Sequence, residues 1–353
     1  MTELSDIDLS DALFTEYIFK LNDLFSKTRA LNIKNCTFYV GDVHGSFQQA
    51  LLPLILAGII EQVEITPEKI NYVINPRQST NKVIYLGDMF HRNLFGNELL
   101  LVDVIIDVIE STNNVIWTLG NHDISEYLFH TKYFQTCSDN HLFVFGKNER
   151  VMLNKFCKFV QNKGIVAWYD SKNDIVASHT VFKKDMLPRN NNIEVQIKQL
   201  NSMFKQFIIN DFNNSAVKEH SVLFGWERIT SESDPNDYLF EDTTKAIGHT
   251  IYKLFYSDIE YNAKLSNFKI MDCDFGCIDS MYIEIAKFYI ISDTEIKHHD
   301  LINVKSLCNK FDYYYMSKPI ELIKFWILLW FFYIVNKIDI IIAVLIQFFY
   351  VVC

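Results

Sequence analysis

"VIYLGDMFHRN", residues 83–93, decides how the rest of the chain is read. An apolar run of strand length closes on Gly87-Asp88, and two more apolar residues separate that pair from His91 and Arg92. A buried strand that ends on a glycine and a carboxylate places polar chemistry at its carboxyl edge. Two other stretches repeat the grammar: "CTFYVGDVHG" at 36–45 and "NNVIWTLGNHD" at 113–123. Apolar-rich "FQQALLPLILAGII" follows the first, and "ELLLVDVIIDVIEST" precedes "NNVIWTLGNHD"; both predict helices. Strand, helix and strand in alternation predict an α/β protein with a mixed or parallel sheet.

Outside this core the pattern changes. Leu13, Phe14, Tyr17, Ile18, Leu21, Leu24 and Phe25 recur three and four apart, so residues 1–35 predict an N-terminal packing helix. Polar residues 61–81, with Pro67 and Pro76, predict a surface loop or small hairpin. Residues 183–218, rich in Asn, Lys and Gln, predict a helical excursion over the site. From 219 onward "SVLFGW", "KAIGHT", "FKIMDCDFG" and "SMYIEIAKFYII" read as strands without strong helices between them, which predicts an antiparallel flank. The catalytic domain is expected over residues 36–315.

Composition excludes some functions. Of 353 residues, 49% are apolar, enough for a substantial core. A net charge of -10, without clustered Lys and Arg, excludes a nucleic acid duplex as partner. Seven cysteines form no C-x-x-C pair and read as reduced thiols of a cytosolic or nuclear domain. The acidic first residues lack a basic and an apolar leader region, so no secretory signal is expected. Residues 316–353 are a hydrophobic C-terminal tail: "FWILLWFFYIV" and "IIIAVLIQFFYVVC" are separated only by "NKID". Together these runs exceed the roughly 20 residues of a spanning helix. A membrane anchor with a cytoplasmic-facing domain is the expectation, and Lys337 and Asp339 keep a buried helical hairpin or an oligomer contact open.

The polar groups that close apolar runs are Asp42 and His44, Asp88, Asn121 and His122, His179 in "IVASHT" and His249 in "AIGHT". Singly, each has a plainer reading: Gly-Asp after a strand is common turn chemistry, and a lone His is more often a hydrogen-bonded core residue than a ligand. Their order and coincidence carry the signal. Carboxylate, carboxamide and imidazole donors without thiolate make a mixed N/O shell for two transition metals, with Asp88 able to bridge both.

On these motifs the chain resembles the calcineurin-like metallophosphoesterase superfamily and, within it, the phosphoprotein phosphatase family, over about residues 37–280. The long spacer "AGIIEQVEITPEKINYVINPRQSTNKVIYLGD" looks more like bacterial-type and Shewanella-like members than compact eukaryotic ones. The resemblance implies a four-layer α/β/β/α sandwich. It implies two divalent ions (Mn, Fe or Zn, with Mn expected to serve in vitro): Asp42 and His44 on the first, Asp88 bridging, and Asn121, His179 and His249 on the second. His122 would be the general acid, Arg92 a phosphate clamp, and Arg228 in "FGWERI" a second clamp. The implied function is hydrolysis of phosphate monoesters, foremost phosphoserine and phosphothreonine on protein, or small phosphorylated substrates.

Two positions depart from the family pattern. His91 stands where an Asp would hold the general acid protonated, and Asp123 stands where "GNHE" has Glu. Glu98 is a candidate replacement for the lost carboxylate. Relatives that hydrolyse diadenosine tetraphosphate typically lack that Asp, because nucleotide phosphates leave without much protonation. A dinucleoside polyphosphate hydrolase is therefore the enzymatic alternative, and a membrane-tethered scaffold without activity is the non-enzymatic one.

Overall fold

Alternating side chains explain how one strand layer serves two neighbours. In β1 (Thr37–Val40) and β4 (Lys82–Tyr85), Tyr39 and Ile84 turn to one face. The Tyr85 hydroxyl reaches the opposite layer and donates to the Ala50 carbonyl of α2 (Phe47–Leu56). The computed structural model describes residues 6–75, 79–90, 98–128, 130–131, 147–188, 190–209, 224, 227, 229, 233–249, 266–273, 287–291 and 301–303.

The remaining elements are α1 (Asp6–Lys27), β2 (Ile60–Ile65), β3 (Ile70–Ile74), α3 (Glu98–Ser111), β5 (Val115–Trp117), α4 (Asn121–Leu128) and α5 (Lys147–Lys163). They continue with β6 (Ala167–Asp170), β7 (Ile175–Ser178), α6 (Ile193–Ile209), β8 (Thr244–Ile247), β9 (Ile270–Asp272), β10 (Lys287–Ile291) and β11 (Leu301–Asn303).

The first sheet has the order β11-β10-β1-β4-β5, with β1, β4 and β5 parallel and β10 and β11 antiparallel. The second has the order β6-β7-β8-β9. Between the sheets lie Tyr39, Ile84 and Leu86 from one side and Ile175, Ala177, Ala246 and Met271 from the other. Fully burying Ile84, Leu86, Ile175 or Met271 stabilises by about 1.5–3 kcal/mol each, so this layer is a main source of cohesion. Helices α2 and α3 cover the outer face of the first sheet, and α6 docks on β6 of the second. This is the four-layer α/β/β/α arrangement of two mixed sheets.

Local signals set the helix that follows β1. The Ser46 hydroxyl caps α2 by accepting from Gln49 N–H at 3.1 Å. Gly58, at φ 71°, closes the other end: Gly58 N–H donates to Ile55 and Ile59 N–H to Leu54.

From residue 219 onward the expected antiparallel flank is found in β10 and β11, which edge the first sheet, but not in β8 and β9, which run parallel to β7; in the second sheet only β6–β7 is antiparallel. The reason is α6, whose polar composition hides an apolar stripe of Ile197, Leu200, Phe204, Phe207 and Ile208. That stripe lets it act as a crossover helix between β7 and β8. The Asn201 side chain accepts from Val166 and Ala167 N–H and donates to Ala167 C=O, fastening the helix to β6, and residues 210–218 of the expected excursion lie outside the described residues.

In "SVLFGW" only Phe224 is described, and it packs on Phe204 and Phe207. Ile60 to Ile74 form a hairpin, β2–β3, joined to α1 where Asn22 exchanges two hydrogen bonds with Ile65; residues 76–78 of the expected loop lie outside the described residues. Tyr17, Ile18, Leu21 and Phe25 of α1 are buried, as the packing-helix pattern predicts. No helix among the described residues is long and apolar enough to cross a membrane. Residues 304–353, which carry the hydrophobic tail, lie outside them.

Candidate metal centre

Three parallel strands of the first sheet and two parallel strands of the second are each followed by a candidate ligand. Asp42 and His44 follow β1, Asp88 follows β4, Asn121 follows β5, His179 follows β7 and His249 follows β8. The structure brings all six together. One donor atom from each of Asp42, His44 and Asp88 falls within 4.8 Å of the others. The same holds for Asp88, His179 and His249. Asp88 is common to both groups. His179 Nε2 lies 2.8 Å from Asn121 Oδ1, 3.2 Å from His249 Nδ1 and 3.4 Å from Asp88 Oδ1.

The hydrogen bonds around the donors orient them. His179 Nδ1 lies 2.7 Å from the Leu86 carbonyl, which only accepts, so Nδ1 carries the proton and Nε2 points its lone pair inward. His44 repeats this more loosely, with Nδ1 3.3 Å from Phe90 O and Nε2 3.5 Å from Asp42 Oδ2. Asp88 Oδ1 accepts from His122 N–H at 3.0 Å, and Asp42 Oδ1 from His249 N–H at 2.9 Å.

Asp88, His44 and His249 adopt left-handed backbone conformations, with φ of 50°, 47° and 67°. Such geometry is uncommon outside glycine and concentrates at functional sites. Three motif glycines allow the crowding. A Cβ on Gly120 would stand 2.2 Å from Asp88 Oδ1, one on Gly248 2.2 Å from Asp42 Oδ1, and one on Gly87 2.8 Å from His179 Nδ1.

Electrostatics show what this cluster lacks. Burial alone would raise Asp42, but the His179 and His44 imidazoles hold it well below the carboxylate range. Burial and the Asp42 charge push Asp88 up, against the pull of His179. Burial disfavours charge on His179, yet Asp88 and Asp42 together raise it. With Nδ1 committed to Leu86, the inner nitrogen of a neutral His179 faces a carboxylate, a carboxamide oxygen and another imidazole. A lone pair turned toward these oxygens is stabilised by a cation between them, and the chemistry of the donor set fits divalent ions that take nitrogen and oxygen ligands.

His122 stands apart from the buried set. Its side chain is 23% exposed, with Nε2 3.8 Å from Asp88 Oδ2, and its ring meets His44 edge-on at 5.3 Å. Glu98 opens α3. His91, Arg92 and Arg228 lie outside the described residues.

Asp123, at first only a shortened Glu, turns out to be a structural hub: its carboxylate accepts from Met89 N–H, Gly120 N–H and the Trp117 indole. Burial and Asp88 push it up to about 7, while the Gly120 and Met89 donors pull it down. Trp117 carries no motif signal, because its role depends on a contact six residues away across a turn.

Parallel strand ends that gather carboxylates, imidazoles and a carboxamide around one shared Asp define a metal-dependent hydrolase centre of the phosphoesterase type. The family model for calcineurin-like phosphoesterases matches residues 38–253, and the chain belongs to that family. Solved structures similar to it include a cold-active protein-tyrosine phosphatase of a psychrophile, Shewanella sp., 12% identical over 75% of this chain and 77% of that one, with a TM-score of 0.43. A candidate diadenosine tetraphosphatase is 11% identical over 74% and 91%, with a TM-score of 0.33. A protein serine/threonine phosphatase from Saccharomyces cerevisiae is 17% identical over 49% and 48%, with a TM-score of 0.26. No curated protein sequence matches the chain significantly.

Proposed function

We propose that this phosphoesterase is a phosphatase of phosphate monoesters, with phosphoserine and phosphothreonine on protein as its foremost substrates. The observation that carries the reading is Asp88, shared by two donor groups with a half-buried imidazole beside it. Asp42, His44 and Asp88 would hold one divalent ion, and Asp88, Asn121, His179 and His249 a second. Two such ions supply Lewis-acid charge for phosphoryl oxygens and lower the pKa of water toward neutrality; Mn, Fe and Zn all suit these donors.

The chain's own residues do the rest. Leu86 C=O keeps His179 in the tautomer that ligates. His249 N–H and His122 N–H hold the Asp42 and Asp88 carboxylates in place. The His122 imidazole, reachable from solvent, would hand a proton to the departing alkoxide, a poor leaving group without it. Arg92 and Arg228 carry the forked donors suited to phosphate oxygens. The hydrophobic tail at 316–353 would tether the domain to a membrane surface.

His91 motivates a second reading, hydrolysis of a dinucleoside polyphosphate, whose leaving group needs little proton assistance. The full-length chain with Mn2+ separates the two. Faster turnover of a phosphoserine peptide than of diadenosine tetraphosphate supports the first reading, and the reverse order supports the second. No turnover of either, or of p-nitrophenyl phosphate, with any divalent ion would sink both. Asp88→Asn should lower activity more than about 100-fold, beyond the loss typical of a residue that only supports a ligand.

A further inference from the structure

Beneath the donor groups, three N–H groups converge on one carboxylate with no access to solvent. Asp123 Oδ1 accepts from Met89 N–H at 2.8 Å; Oδ2 accepts from Trp117 Nε1–H at 3.0 Å and from Gly120 N–H at 2.9 Å. The indole is fixed in turn: Trp117 stacks on Phe159 at 5.3 Å and 18°, and on Phe156 at 5.9 Å and 26°. The carboxylate therefore has a rigid partner on one side and two loop peptides on the other.

Those peptides carry Asp88 and Asn121. Met89 follows Asp88 directly, and the same stretch is gripped from the opposite direction by the β1 loop. Asp88 C=O accepts from Val43 and His44 N–H at 3.1 and 2.6 Å, and Met89 C=O from Gly45 N–H at 2.8 Å. Asp88 stands at φ 50°, a left-handed conformation that costs a residue with a Cβ about 1–2 kcal/mol. Such a conformation persists only when its surroundings over-determine it. Gly120, whose N–H is held by Asp123, lies so near the Asp88 carboxylate that a Cβ on it would stand 2.2 Å from Oδ1.

We propose that Asp123, held by the Trp117 indole, is a positioning residue that sets Asp88 for both metal positions at once. It touches neither metal nor substrate. It acts through the Met89 and Gly120 peptides, and because Asp88 belongs to both donor groups, disturbing it weakens both. The shorter Asp is matched to this task by the indole, which supplies the third donor. The proposal rests on reading the centre as a two-ion site.

Metal binding itself gives the test. The full-length chain is stripped with chelator and titrated with Mn2+ by calorimetry, as wild type, Asp123→Asn and Trp117→Phe, with thermal unfolding of each stripped protein alongside. In Asp123→Asn an NH2 group must face one of the three N–H donors, and Mn2+ affinity should fall about 10- to 100-fold. Trp117→Phe keeps a stacked ring and removes one donor, so the loss should stay below about tenfold yet be measurable.

A role confined to stability would lower the unfolding temperature of the stripped variants and leave Mn2+ affinity at the wild-type value. That result overturns the proposal. If Asp123→Asn does not fold, Trp117→Phe decides: weakened binding supports the proposal and unchanged binding overturns it. Failure of the wild type to bind two ions would instead overturn the two-ion reading, and the proposal with it.

Discussion

The backbone N–H of His249 donates to Asp42 Oδ1 at 2.9 Å, joining residues 207 apart in the chain. Asp42 follows a strand of the first sheet and His249 one of the second, so this bond closes the site across the sandwich. Gly248 makes it possible, since a Cβ there would stand 2.2 Å from the same oxygen. Gly248→Ala should therefore displace the Asp42 carboxylate and weaken Mn2+ binding at least about tenfold, a loss of the size seen when support for a ligand is removed. Overpacking should cost about 1–3 kcal/mol of stability as well. Calorimetric Mn2+ titration of the variant measures the first effect and denaturant unfolding the second; wild-type affinity would contradict the argument.

A second tie between the layers is polar. The Tyr39 hydroxyl donates to Asp170 Oδ2 at 2.7 Å, beside Asn173 Nδ2 at 2.7 Å. Burial and the Asp170 carboxylate push the Tyr39 hydroxyl far above its ordinary range, so it remains a donor at every working pH. Tyr39→Phe leaves a buried carboxylate with one fewer donor and should destabilise by about 1.5–3 kcal/mol. Turnover should change little, because neither residue is one of the gathered donors. The midpoint of urea unfolding and kcat, measured on one preparation, test both halves.

Lys245 gives the stability a pH dependence. Its ammonium is buried and donates to Phe240 and Thr243 carbonyls at 2.8 and 3.0 Å. Burial, with Lys269 nearby, lowers it from 10.5 to about 8. Below that pH the folded and unfolded chains both hold the proton, and the contribution is constant. Between about 8 and 10.5 the unfolded chain holds a proton that the folded chain has released, so stability rises with pH. Relative to Lys245→Met, the wild type should gain on the order of 3 kcal/mol across this window. Parallel unfolding curves at pH 7.5 and pH 10 should show the gap change in that direction, and a constant gap would refute it.

His91 bears on the leaving group. If its replacement of Asp weakens the proton supply from His122, His91→Asp should accelerate hydrolysis of a phosphoserine peptide about tenfold or more, within the range general acids contribute. Hydrolysis of p-nitrophenyl phosphate should change little, since its leaving group departs without a proton. Equal acceleration of both substrates would detach His91 from the general acid.

The motif order in the sequence sufficed to pick out six residues that the fold gathers in one place, because each sits one or a few residues past an apolar run. That signal is local: a strand end, a turn and a polar side chain are neighbours in the chain. The parallel direction of β7, β8 and β9 was not legible, because the crossover helix hides its apolar stripe in polar composition. The sharing of Asp88 between two donor groups was also anticipated from the sequence. Only tertiary structure decided two further things. The tautomer of His179 followed from a carbonyl 93 residues away. Asp123 gained its work from Trp117 and Met89, whose approach depends on how two loops pack. Residue types and order name the donors; the distances between them, and what holds each in place, are set by the folded chain, where contacts distant in sequence converge.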